Sequence, residues 1–183
     1  MPSGERNNNP DSADLGALLD ALMASGVEFI LVGALAAVAQ GAPITTLDVD
    51  IVHRQTDENI EKLLTFLMSV GARHRRPDDK FIKPKKRDLM GPGHALFLTR
   101  LGPLDVLGAI EEGRGFDTLL EDAEEIDFRG RRLRVLKLET LVALKRHSDH
   151  PRDRHRLPLF EQVLRQARLA DAKAGKHDSA NTE

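Results

Sequence analysis

Strand-like and helix-like stretches alternate from Asp14 to Leu169, which predicts an α/β (α+β) domain. Three observations carry this. Short, almost wholly apolar runs such as Val27–Val32 have the composition of strands covered on both faces. Between them, leucines recur at helical spacing, as in Leu15, Leu18, Leu19 and Leu22. The chain has 183 residues, 40% of them hydrophobic, and no internal repeat, which suits one domain with its own core.

The elements follow in order. Asp14 is a good cap for a first helix that Gly26 stops. The strand Val27–Val32 ends at Gly33, and Ala34–Gln40 reads as a short helix closed by Gly41 and Pro43. Leu47–His53 alternates in the strand manner, and Asp57 is the expected cap of a helix over Glu58–Val70 with Ile60, Leu63, Leu64 and Leu67 as its buried stripe. Ala72–Pro92 is basic and broken by Pro77, Pro84 and Gly91, so one weakly marked strand and a long loop are expected. His94–Thr99 and Leu104–Leu107 flank Gly102 and Pro103 as a hairpin; Ile126–Phe128 and Leu133–Leu136 flank Arg129 and Gly130 as another. Leu138–Lys145 and Leu157–Leu169 are the closing helices, with Pro151 between them. The folded domain is expected over residues 14–170. Residues 1–13 and 171–183, which lack an apolar period, are expected to form disordered tails.

Composition excludes several classes. Twenty-seven Lys and Arg against 29 Asp and Glu give a net charge of −2, so no whole-chain field draws the protein onto nucleic acid or an acidic membrane. With no cysteine there is no disulfide framework, thiol nucleophile or thiolate zinc site. His147, His150 and His155 are not spaced for one helix face, which argues against zinc there. The longest apolar run, Phe29–Ala39, is far shorter than the roughly 20 residues a spanning helix requires. The polar start lacks the pattern of a signal peptide, so a cytoplasmic location is expected.

The chemistry lies between Leu31 and Val52. Asp48 and Asp50 are two apart on an expected strand, so both carboxylates share one face while Val49 and Ile51 face the core. Two such acids repel, and a divalent cation is the usual remedy; oxygen ligands suit Mg²⁺ or Mn²⁺. Asp105 occupies the same apolar strand setting, and if its strand neighbours that of Asp48, all three carboxylates converge. Upstream, Gly33 between a strand and a helix allows close approach of a ligand, and the N–H groups opening that helix suit a phosphate. A further cluster is the eight Lys and Arg between Arg73 and Asp88, against three Asp; among them Lys83, Lys85 and Lys86 are candidate contacts to an acceptor.

Gly33-Ala34, then Gly41, Pro43, Thr45, Thr46, Asp48-Val49-Asp50 and finally Asp105 resemble the DNA polymerase beta-like nucleotidyltransferase superfamily. More narrowly, Lys137-Leu138-Glu139, Leu141, Leu144, Lys145 and Pro151-Arg152-Asp153 resemble the minimal nucleotidyltransferases of bacterial toxin–antitoxin and abortive-infection systems. The resemblance implies a mixed β-sheet flanked by helices, the nucleotidyltransferase fold, with further helices at its C-terminal end. It implies Asp48, Asp50 and Asp105 as catalytic metal ligands. Gly33, Ala34, Thr46, Lys145, Arg152 and Asp153 would lie around a nucleoside triphosphate. The implied reaction moves a nucleoside monophosphate to a hydroxyl of a protein or RNA acceptor, and the implied setting is that of a toxin–antitoxin component, with a toxin or antitoxin partner and no membrane. The chain departs from the pattern at Ala34, which lacks a hydroxyl, at Ile44, where many relatives carry Arg, and at Arg156, where a second acid is common. A module of the same fold that binds a protein partner without catalysis is the alternative.

Overall fold

In the computed structural model, which describes residues 13–78, 80–147, 157–166 and 168–169, the chain enters helix α1 (Leu15–Ala24) through Asp14, whose carboxylate accepts the Ala17 N–H at 2.8 Å. Its Leu18, Leu19 and Leu22 are buried, as their spacing predicts. Strand β1 (Phe29–Val32) is buried at all four positions, and α2 (Gly33–Ala39) follows without an intervening loop. Strand β2 (Val49–His53) is shorter than expected from the sequence: Leu47 and Asp48 precede it.

Helix α3 (Asp57–Ser69) is capped by Thr56, not Asp57, because the Thr56 hydroxyl accepts the Asn59 N–H. Asp57 instead sits in the first turn, where its charge complements the helix dipole. Asn59 is buried and ties three segments together. Its Oδ1 accepts from Glu28 N at 2.7 Å, and its Nδ2 donates to the carbonyls of Glu28 and Arg54, each at 2.9 Å. Asn59→Ala removes the bonds to Glu28 N–H and to the Arg54 carbonyl, while the Glu28 carbonyl keeps the Arg54 N–H, so a loss of about 2–3 kcal/mol is expected in urea unfolding with an unchanged m-value. Thr65→Ala, on the exposed side of the same helix, is the control and should change stability by less than about 0.5 kcal/mol.

The weakly marked basic stretch contains a two-residue strand, β3 (Arg73–His74), and a 3₁₀ turn over Lys86–Leu89. The hairpin is β4 (His94–Thr99) and β5 (Gly102–Leu107). Thr99 pairs directly with Gly102, so the turn is Arg100-Leu101, and Gly102 and Pro103 belong to the strand. The sequence does not announce β6 (Ala109–Ile110), β7 (Arg114–Gly115) or the single turn α4 (Phe116–Leu119). The second hairpin, β8 (Ala123–Phe128) with β9 (Arg131–Leu136), turns at Arg129-Gly130 as expected. Helix α5 (Leu138–His147) and α6 (157–166) close the described chain, with Phe160 of α6 fully buried.

Seven strands form one mixed sheet in the order β3-β4-β5-β2-β1-β9-β8. The pairs β2/β5 and β1/β9 are parallel and the others antiparallel. At the far end of β2 from its acids, the buried His53 ring contacts the carbonyls of Leu107 at 3.0 Å and Leu89 at 2.8 Å, and so joins β2, β5 and the 3₁₀ turn. At the other end, the Gln40 amide donates to Ala36 O and Leu136 O, which fixes α2 against the point where β9 passes into α5. Among the described residues no helix is long and apolar enough to cross a membrane. The expected tails lie outside the described residues, apart from Ala13.

Candidate active site

β2 is the central strand on which the site is built. Val49 and Ile51 are fully buried on one face of the strand, while Asp50 alternates onto the other face, followed there by the buried Val52. Parallel pairing sets Asp50 beside Asp105 of β5, and antiparallel pairing sets it beside Val32 of β1. Asp48, just before β2, completes the group: the three side chains each bring a carboxylate oxygen within 4.8 Å of the others. The conditional expectation that the strands of Asp48 and Asp105 are neighbours is therefore met.

Asp48 is held by Thr46, whose hydroxyl donates to its Oδ1 at 3.1 Å. Thr46 thus orients an acid of the site. Asp105 is buried and uses its two oxygens differently. Oδ2 accepts from Arg75 Nη2 at 2.9 Å, whereas Oδ1 is buried with no hydrogen-bond partner. A carboxylate with one buried, unpartnered oxygen, in a group of three carboxylates within 4.8 Å of one another, is a donor set for a hard divalent ion such as Mg²⁺ or Mn²⁺.

Charge crowding shows in the proton affinities. Burial, then the charges of Asp48 and Asp105, push the Asp50 carboxyl up to about 7, against the smaller opposing pull of Lys145 and Arg75. Burial also raises Asp105, although Arg75 works the other way.

Gly33 plays a part the sequence does not reveal. Its φ is +67°, and a Cβ there would lie 2.8 Å from Asp50 Cγ and closer still to Oδ2. The space kept open by the missing side chain is thus taken up by the Asp50 carboxylate. Beyond it lies a cavity of about 220 Å³ bounded by Gly33, Asp50 and Lys145 and by the apolar side chains of Leu107, Ile110, Leu136, Leu141 and Leu144. Lys145 lies over the Phe160 ring at 5.4 Å, so α5 and α6 together carry this wall. Ala34 is buried at the start of α2, and Ile44 packs against the core, an apolar role that an Arg could not fill.

The basic candidates divide. Lys83 and Lys85 are exposed, while Lys86 pairs with Asp57 at 2.9 Å and with Glu61 at 3.4 Å, on α3 beyond the His53 end of β2. Arg152 and Asp153 lie outside the described residues, as does Arg156. The residue that sequence reasoning overlooked is Arg75, counted in the basic stretch without a role. Arg73 and Arg75 alternate about His74, the one signal that could have marked them as sharing a sheet face.

No protein-family model matches the chain, and no curated protein does. Among solved structures the chain is similar to the lincosamide antibiotic adenylyltransferase LnuA, lincomycin-bound, with a TM-score of 0.57 at 15% identity over 82% of this chain and 96% of that one. It is also similar to ANT(2")-Ia in complex with adenylyl-2"-tobramycin, with a TM-score of 0.55 at 14% identity over 91% of this chain and 98% of that one. The chain has the nucleotidyltransferase fold. These likenesses bear on the fold and not on a toxin–antitoxin setting.

Proposed function

We propose that this protein is a Mg²⁺- or Mn²⁺-dependent nucleotidyltransferase that moves a nucleoside monophosphate from a triphosphate to an acceptor hydroxyl. The observation that carries the reading is Asp105. It is a buried acid in register with Asp50, and one of its oxygens has no donor. An apolar residue would fill that strand position without this cost, so a ligand is the economical reason for the acid.

Asp48, Asp50 and Asp105 would hold the metal, which when bound supplies charge neutralisation at the attacking hydroxyl and at the pyrophosphate leaving group. In the transfer, the hydroxyl oxygen bonds to the α-phosphorus, the bond to the bridging oxygen breaks and pyrophosphate leaves. Oδ1 is the oxygen through which Asp105 either joins the metal ligands or takes the hydroxyl proton, because Oδ2 stays with Arg75. Gly33 and Lys145 border the cavity assigned to the triphosphate, and Ala34, Arg152 and Asp153 are assigned there by their motif. Thr46 acts through Asp48.

The acceptor assigned from the sequence is a protein side chain or an RNA end, reached by Lys83, Lys85 and Lys86. A small hydroxyl compound is a second reading, favoured by the antibiotic ligands of the two similar structures.

Labelled triphosphates, tested one base at a time with Mg²⁺ against RNA, protein and small hydroxyl compounds, distinguish these acceptors. Transfer with at least one base, abolished by EDTA, is expected. A triphosphate with Mn²⁺ at a hundredfold excess over Kd should add about 2.7 kcal/mol of stability, a rise of roughly 5–10 °C in melting temperature for a domain of this size. A melting response without transfer to any acceptor would favour the binding module. The absence of both responses would refute the transferase and leave only the module that binds a protein partner.

A further inference from the structure

Arg75 joins the acid cluster from an unexpected direction. It follows the edge strand β3, and its backbone N–H donates to Leu96 O at 2.8 Å. Leu96 is the residue of β4 directly opposite Asp105 of β5. The side chain therefore reaches across one strand to bond Asp105 Oδ2 at 2.9 Å, from a backbone that is itself hydrogen-bonded in place. Its positive charge also acts on Asp50.

We infer that Arg75 is the resident counter-charge of the acid cluster: it weakens the binding of a free divalent ion and leaves the site to be filled by the ion together with the triphosphate. The inference deepens the metal-dependent reading above and rests on it. Three carboxylates within 4.8 Å form a concentrated negative charge. Arg75 cancels one of the three formal charges without occupying Asp105 Oδ1. A lone cation entering the site meets a fixed guanidinium beside its ligands and is repelled by it. A metal–triphosphate complex carries net negative charge, so the same guanidinium attracts it. Arg75 thus discriminates by the sign of the incoming charge, and it does so through Asp105 as a positioning residue.

The test measures free Mn²⁺ by electron paramagnetic resonance in titrations of wild type, Arg75→Gln and Arg75→Lys at pH 8 and fixed salt. Thermal melts show which variants are folded. Loss of one charge beside a divalent ion, in a site open to water and salt, corresponds to about threefold to tenfold in affinity. Arg75→Gln should therefore bind Mn²⁺ alone about threefold to tenfold more tightly, with Arg75→Lys within about twofold of wild type. With a non-hydrolysable triphosphate present, Arg75→Gln should bind the complex no more tightly than wild type, or more weakly.

Equal or weaker binding of Mn²⁺ alone by Arg75→Gln overturns the inference, because Arg75 would then serve only to orient the carboxylate. So does Arg75→Lys behaving like Arg75→Gln. Nucleotide transfer by wild type without tighter Mn²⁺ binding in Arg75→Gln sinks the inference and spares the proposed function. Tighter binding in Arg75→Gln with no transfer to any acceptor sinks the function and spares the counter-charge. A wild type that binds no Mn²⁺, alone or with triphosphate, overturns both.

Discussion

Asp50→Asn is expected to reduce nucleotide transfer about a thousandfold, on the order of 4 kcal/mol of lost transition-state stabilisation, and at the same time to stabilise the ion-free protein. The second effect follows from the sign of its proton linkage. The Asp50 carboxyl has its ordinary value near 3.8 in the unfolded chain and is raised to about 7 in the folded protein. Between those values the native state binds the proton and the unfolded chain does not. The stabilisation from that proton is complete below the unfolded value and is lost as pH rises through 7. At pH 8 the wild type therefore carries a crowded, desolvated charge that the Asn variant lacks. In EDTA at pH 8, Asp50→Asn should be more stable by about 1–3 kcal/mol, with little difference at pH 4. His53 contributes a slope of opposite sign, since burial holds its ring below its ordinary value and stability is lost as pH falls below about 6.5. His53 is common to both proteins and cancels in the comparison. Calorimetry at the two pH values, with and without Mn²⁺, reads the effect. An Asn variant no more stable than wild type at pH 8 would show that the carboxylate is not under strain, and a retained Mn²⁺–triphosphate response would remove Asp50 from the ligand set.

The second large effect is expected at Gly33. Gly26 and Gly33 both have positive φ, +74° and +67°, so replacing either by Ala carries a similar backbone cost of about 1–2 kcal/mol. Their surroundings differ. A Cβ on Gly26 would meet nothing within 4 Å, whereas one on Gly33 would collide with the Asp50 carboxylate. Gly26→Ala should lose stability but keep full transfer. Gly33→Ala should lose about as much stability, displace Asp50, and lower transfer at least a hundredfold, with the melting response to triphosphate and Mn²⁺ abolished. Equal activity in the two variants, measured at a temperature where both are folded, would show that Gly33 serves only the turn.

Much of this site was legible because an acid on an apolar strand is a local contradiction, and Asp48, Asp50 and Asp105 each stand in one. What placed Asp105 beside Asp50, parallel pairing between strands separated by α3 and the β4 hairpin strand, is a long-range choice that no local pattern encodes. Gly33 was legible as a close-approach position, but the approaching group could only be identified once β1 and β2 were paired. Arg75 was obscured for a related reason. The strand before it is two residues long and has no apolar alternation, so the edge of the sheet is made by hydrogen bonds to β4 and not by propensity. The same holds for Ala109–Leu119, where α4 is a single turn stabilised by burying Phe116 and Leu119. Thr56 displaced Asp57 as the α3 cap because two adjacent residues could each serve, and only the entry angle of the chain chose between them.

The β4–β5 turn governs how the chain tolerates changes in length. The Thr99 hydroxyl donates to Gly102 O at 2.8 Å and accepts from the N–H groups of Leu101 and Gly102, which locks the two-residue connection. Side chains on a strand alternate between faces, so a shift of β5 by one residue would turn Asp105 into the core and bring Leu104 or Val106 to the acids. A single inserted or deleted residue at Arg100-Leu101 thereby damages core and site together, because Leu104 and Val106 leave the interior as Asp105 enters it. Beyond Arg75, the connection leading to the Lys86–Leu89 turn is under a weaker constraint, because the partners of Asp105 on β2, on β4 and at Arg75 lie outside it. An inserted residue is therefore expected to cost more activity at Arg100-Leu101 than in the connection beyond Arg75.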